Sequence, residues 1–140
     1  MPSDFYVPDF DVIVPATTRG LAAALASLEM FCDSRKLAAD VHARAVIAVE
    51  ELFTNTIKYG YGGECGRPVR VSATVATGLV LALEDDAPAF DPTKWTPPPQ
   101  LPGERPVGQA GISMVLGLCA AVAYARAGDS NRVTLTIVPH

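Results

Sequence analysis

The sequence predicts an α+β fold: a two-layer α/β sandwich in which one mixed, mostly antiparallel sheet carries its helices on one face. Three observations lead there. Stretches near Leu21, Ala38 and Gly111 read as helices. Two pairs of short, apolar-rich stretches, each pair broken by a glycine-bearing turn, read as hairpins. The order is β-α-α-β-β-(loop)-α-β-β, with helices interspersed among hairpins. The 140 residues suit one domain, 1–140, with one core.

Phe5 to Val14 alternates through Phe10, Val12 and Val14 and stops at Pro15, which predicts a strand. Pro8 within it argues for an edge position. Thr17 or Thr18 can cap the helix that follows, where Leu21, Leu25, Leu28 and Cys32 recur at helical spacing among alanines. Asp33-Ser-Arg-Lys is read as a connector. A longer helix is predicted from about Ala38 to Tyr59, with Val41, Ala45, Ala48, Leu52 and Ile57 on its apolar stripe. Gly60, Gly62 and Gly63 end it, and Gly62 to Pro68 is read as a polar turn. Val69 to Val75 alternates, Gly78 interrupts, and Leu79 to Asp86 completes the first hairpin, ending on Glu84, Asp85 and Asp86.

Ala87 to Gly108 holds seven of the chain's twelve prolines and can be neither helix nor central strand. Too few residues follow for a second domain, so residues of about 87–110 are read as a lid within the one domain. A third helix starts at or near Gly111. Ala121 to Arg126 and Arg132 to Val138 form the last hairpin, with Ala127-Gly-Asp-Ser-Asn as its turn.

Composition excludes several classes. Hydrophobic residues make up 49% and charged residues 19%, and mean hydropathy is +0.24, as in a chain that fills a core. No apolar run approaches the roughly 20 residues of a membrane span, and no secretory signal is visible at the start. A net charge of −4 with no basic cluster argues against direct nucleic-acid binding. Cys32, Cys65 and Cys119 are odd in number and widely spaced, which suits free thiols in a reducing cytoplasm. With only His42 and His140, a zinc site has few candidate ligands.

The chemistry gathers in three places. Glu51 and Asn55 are four residues apart, so they stack on one helix face, whereas Glu50 lies well round the helix. A carboxylate and an amide oxygen so placed can hold a hard cation or poise a base beside one. Asp85 ends a strand and can accept a hydrogen bond from an exocyclic amine. Gly108 and Gly111 open a helix, where backbone N–H groups and the helix dipole favour phosphate.

Together and in this order, the three resemble the GHKL (Bergerat-fold) ATP-binding superfamily, and within it the anti-sigma-factor serine/threonine-protein kinases. Glu51-Leu-Phe-Thr-Asn55-Thr-Ile-Lys-Tyr-Gly-Tyr resembles the N box of that family. Leu83-Glu-Asp85-Asp-Ala-Pro-Ala-Phe90-Asp-Pro92 resembles its G1 box, and Glu104-Arg-Pro-Val-Gly108-Gln-Ala-Gly111-Ile-Ser-Met-Val its G2 box. The Asn131-Arg-Val-Thr134-Leu ending fits as well. The resemblance implies ATP and Mg²⁺ as cofactors, with Glu51 as general base toward a serine hydroxyl. It implies Asn55 as Mg²⁺ ligand and Asp85 as partner of the adenine amine. It places Ala87, Gly108, Gly111 and Thr134 at the nucleotide and brings Arg105 to the γ-phosphate. The partners it implies are a STAS-domain anti-anti-sigma protein as phosphoryl acceptor, a sigma factor, and a second copy of the chain in a homodimer.

The chain departs from the family pattern at three positions. Ala87 stands where G1 usually has glycine, Gln109 where G2 often has a second one, and Tyr59 where histidine is common. If the G1 position needs positive φ, Ala87 is strained there; if it needs only close approach, alanine adds one methyl. The departures leave open an alternative: a catalytically weak or silent binding module that acts by sequestering a partner.

Overall fold

The computed structural model describes residues 7–96 and 110–140. The elements follow the predicted order: β1 (Phe10–Ala16), α1 (Thr18–Ser34), α2 (Ala39–Asn55), β2 (Cys65–Val75), β3 (Leu79–Asp85), α3 (Ala110–Leu118), β4 (Ala121–Ala127) and β5 (Ser130–Ile137). The five strands form one sheet in the order β1-β2-β3-β5-β4. Every neighbouring pair is antiparallel, so the expectation of a mixed sheet is corrected. The reason is connectivity: β5 turns back on β4 and then lies beside β3, opposite in direction to both.

β1 is an edge strand, as predicted, but it runs through Pro15. Pro15 faces Pro68 where the register slips, and Pro68 lies beyond the end of the β2–β3 ladder, so neither missing N–H breaks a central pair. Strand β2 begins at Cys65, four residues earlier than predicted, because β1 gives those polar residues a partner. The Thr17 hydroxyl accepts from Gly20 N–H at 2.9 Å and caps α1. That helix takes in the first two residues of the segment read as a connector and ends at Ser34.

Alternation sorts the sheet into two faces. Val69, Val71, Ala73, Leu79, Leu81, Leu83, Leu135 and Ile137 are buried against Leu28, Val41, Ala45, Ala48, Val49, Leu52 and Phe53 of the helices. The opposite face carries the ion pairs Asp11–Arg70 (2.6 Å), Arg70–Glu84 (3.7 Å) and Arg132–Glu84 (3.1 Å). The helices therefore cover one face only. Among the described residues no helix is long and apolar enough to cross a membrane.

Arg44, only 8% exposed, ties α2 to the end of α3 and to the segment after β5. Its guanidinium pairs with Asp40 one turn back (3.1 and 2.6 Å). It also donates to the carbonyl of Leu118, which ends α3, at 3.0 Å, and to the carbonyl of Val138. The carbonyl at a helix end has no partner within the helix, so this bond satisfies it and holds α3 beside α2.

Candidate functional site

The helix bearing Glu51 and Asn55 does not run on as α-helix to Tyr59. It ends at Asn55, and Thr56–Gly60 form a π turn. Tyr61 N–H bonds to the carbonyl of Thr56 at 2.8 Å, and Gly63 N–H reaches back to that of Ile57 at 2.7 Å. π turns occur often at functional sites, because they shift side chains out of the α-helical register. Here the shift aims Thr56 at Asp85: its hydroxyl donates to Asp85 Oδ2 at 3.1 Å. Gly62 and Gly63 then take positive φ and let the chain leave the turn.

A cleft open to solvent begins at this turn. Leu52, Asn55, Thr56, Tyr59 and Gly60 form one wall, and Leu83, Asp85, Asn131 and Val133 of the sheet form the floor. Ala87, Pro88, Ala89, Phe90 and Pro92, from the segment after β3, close one end. The mixture of apolar walls with a few polar groups suits a small-molecule site.

Asn55 Oδ1 is buried and has no hydrogen-bond partner among the described residues. Burying such an oxygen unpaired is costly, so its position calls for an external partner. Among the described residues no three His, Cys, Asp or Glu side chains cluster as a metal centre. A single amide oxygen is the kind of donor that Mg²⁺ takes beside waters and phosphate oxygens.

Glu51 lies one turn earlier on the same face, half-buried, while Glu50 is exposed as expected. Its carboxylate rests against the first turn of α3. A Cβ built on Gly111 would lie 2.0 Å from Glu51 Oε2 and 2.8 Å from the carboxyl carbon. Gly111 is therefore needed for close approach, and the approach is to a side chain of α2. Gly111→Ala should displace the carboxylate without removing it. The expected result is a folded variant in which the first turn of α3 and the Glu51 carboxylate have moved apart. A crystal structure of the variant beside a far-UV circular dichroism spectrum checks it.

Ala87 is buried at 2% and adopts no positive φ. Its methyl packs against Gly60, where an added Cβ would lie 3.0 Å away. The position thus requires close approach rather than left-handed backbone, and glycine at 60 makes room for alanine at 87.

The structure brings Asn55, Asp85 and Ala87 to the cleft and sets Glu51 against Gly111. Arg105, Gly108 and Gln109 lie outside the described residues. Thr134 does not join the group. It pairs with Ala82, whereas Leu83 and Val133, one residue away on each strand, line the cleft. Alternation therefore puts Thr134 on the ion-pair face, which corrects its expected place at the nucleotide.

Sequence reasoning missed Thr56 and Asn131. Asn131, read as a turn residue, is the second residue of β5, directly opposite Asp85. An antiparallel register drawn between the last hairpin and β3 shows this pairing. Asn131 is 4% exposed, and its Nδ2 donates to Asp85 Oδ1 at 2.9 Å.

A family model described as "Histidine kinase-like ATPase domain" matches residues 14–137. The chain belongs to the histidine kinase-like ATPase family, and membership makes ATP the nucleotide implied for the cleft. Among solved structures, the RsbU and RsbW domains of Rv1364c from Mycobacterium tuberculosis are similar. That match has a TM-score of 0.67 at 18% identity and covers 94% of this chain and 32% of that one. The likeness is one of fold, and this chain spans about a third of that protein's length. No curated protein matches the chain.

Proposed function

We propose that the chain is an ATP- and Mg²⁺-dependent protein-serine kinase that also sequesters a sigma factor, acting in the cytoplasm as a homodimer. Its phosphoryl acceptor in this reading is a STAS-domain anti-anti-sigma protein. The observation that carries the reading is the position of Glu51. A carboxylate stands at the first turn of α3, one helical turn from Asn55 Oδ1, which has no partner among the described residues.

In the proposed mechanism the adenine end of ATP lies at Asp85 and the phosphates point toward α3. Bound through Asn55 Oδ1, Mg²⁺ supplies charge neutralisation on the phosphates. Glu51 accepts the proton of the acceptor serine as the serine oxygen bonds to the γ-phosphorus. The bond from that phosphorus to the β,γ-bridging oxygen breaks, and ADP leaves. Arg105 from the lid offsets charge on the transferring group in this scheme.

The test is incubation with [γ-³²P]ATP and a candidate STAS protein. Label on a serine of that protein is the expected result. A protein that binds no nucleotide at millimolar concentration would instead be a binding module acting by sequestration alone. Asn55→Ala should bind ATP equally well with Mg²⁺ or with chelator. The wild type should lose roughly 10–100-fold in affinity when Mg²⁺ is removed, the scale on which metal sites respond to loss of a supporting group. Calorimetry with and without Mg²⁺ measures both.

A further inference from the structure

The β2–β3 ladder ends at the pair Val69–Asp85. Pro68 and Asp86 stand next in that register, and the hydroxyl of half-buried Tyr61 lies between them. It accepts from Asp86 N–H at 2.8 Å and donates to the carbonyl of Pro68 at 2.9 Å. The phenol oxygen thus uses both its donor and its acceptor capacity, and it carries the pairing of the two strands one step past Asp85. Asp86 is held at two further groups. Its carbonyl accepts from Arg67 at 3.0 Å, and its carboxylate accepts from the Ser130 hydroxyl at 2.8 Å. The Arg67 guanidinium also lies over the Tyr61 ring, 5.0 Å from its centroid.

The backbone of Tyr61 belongs to the π turn, which its N–H closes on the carbonyl of Thr56. Gly60, just before it, packs against Ala87. Gly60 and Tyr61 therefore face Ala87 and Asp86 in antiparallel order, so the turn is fastened to the segment that follows β3. A tyrosine side chain has a rigid ring and only two rotatable bonds. With both ends fixed, it is a strut of set length. One end is the turn that continues from Asn55, and the other is the peptide that joins Asp85 to Asp86.

We infer that Tyr61 is a positioning residue that sets the spacing between Asn55 and Asp85, so that one Mg²⁺-nucleotide can engage both. The inference rests on the reading of the cleft as a nucleotide site. In that reading Asn55 meets the ligand through the metal and Asp85 through the base. A ligand that spans the cleft gains from both contacts at full strength only while their spacing is held. Without the hydroxyl, the ligand itself must order the two walls, and that ordering is subtracted from its affinity. Nucleotide without metal makes no contact through Asn55, so it is indifferent to the spacing.

The test measures ATP dissociation constants by calorimetry, with Mg²⁺ and with chelator, for the wild type, Tyr61→Phe and Arg67→Met. Thermal melts set an assay temperature at which each protein is folded. Tyr61→Phe should weaken Mg²⁺-ATP about three- to tenfold, the value of one hydrogen bond, and change metal-free ATP by less than about twofold. A general loosening of the structure would weaken both alike. Arg67→Met keeps an aliphatic stem on the ring but loses the bond to Asp86. It should weaken Mg²⁺-ATP about two- to threefold, again with metal-free ATP unchanged. If Tyr61→Phe does not fold, Arg67→Met carries the same comparison. Equal losses with and without Mg²⁺, or no loss in either, would overturn the inference while leaving the nucleotide site intact. A wild type that binds ATP equally well with and without Mg²⁺ would overturn the metal role of Asn55 and the inference with it. A wild type that binds no ATP would overturn the nucleotide reading as a whole.

Discussion

Glu51→Gln should abolish phosphoryl transfer to the acceptor serine while ATP binding stays within about twofold of wild type. The substitution keeps the shape of the side chain and its place against Gly111, so the first turn of α3 has no reason to move. It removes only the capacity to accept a proton. General-base catalysis by a positioned carboxylate typically contributes about 10²- to 10⁴-fold, and a loss on that scale belongs in kcat, since Glu51 does not line the nucleotide cleft. Single-turnover transfer from [γ-³²P]ATP, read beside calorimetric ATP affinity, separates the two quantities. Wild-type transfer by Glu51→Gln would remove Glu51 from the role of base. Gly111→Ala offers a second view of the same carboxylate, displacing the group that Glu51→Gln neutralises.

Arg44→Leu should cost about 3 kcal/mol of stability, lowering Tm by on the order of 10 °C in a chain of this size. Leucine fills part of the space but leaves the carbonyls of Leu118 and Val138 without their donor. A stranded acceptor costs about 1–3 kcal/mol when fully buried, and these two are part-buried. The Asp40 part of the cluster adds less, because that carboxylate is well exposed and screened. It adds a pH dependence instead. The hydrogen bond from Arg44 holds the Asp40 carboxyl below its ordinary value. A depressed carboxyl stabilises the fold above its unfolded-state pKa of about 4 and stops doing so as pH falls through its folded value. The acid limb of the wild-type stability curve should therefore lie lower in pH than a fully solvated Asp40 would give, and Arg44→Leu should lose that component. Thermal melts from pH 3 to 7 check both effects. α3 should also loosen, since Arg44 holds its C-terminal carbonyl, so ATP affinity should fall along with stability.

Much of the fold is legible locally. Gly78 between an alternating run and an apolar one marks the hairpin of β2 and β3, because strand side chains of period two must face one core. Thr17 before an alanine-rich stretch starts α1. Spacing alone puts Glu51 and Asn55 on one face and turns Glu50 away. What local reading misses depends on pairing. The first four residues of β2 look like a turn until β1 supplies partners. Asn131 looks like a turn residue until register sets it opposite Asp85. Thr134 looks like a nucleotide contact until its pairing with Ala82 turns it to the other face.

The departure at Ala87 shows the same division. Sequence identifies the residue as unusual for its family, and leaves strain and mere crowding equally open. The structure decides for crowding, because ordinary backbone and a neighbouring Gly60 accommodate the methyl.

By itself the sequence determined the class of fold, the order of its elements and the two polar groups on the face of α2, since helical period and strand alternation act over a few neighbouring residues. Only the tertiary structure decided how those groups are used. It seats the Glu51 carboxylate against Gly111, leaves Asn55 Oδ1 without a partner among the described residues, and fills one oxygen of Asp85 from Asn131 on a distant strand. Those outcomes follow from packing and strand register between segments far apart in the chain, which no local pattern encodes.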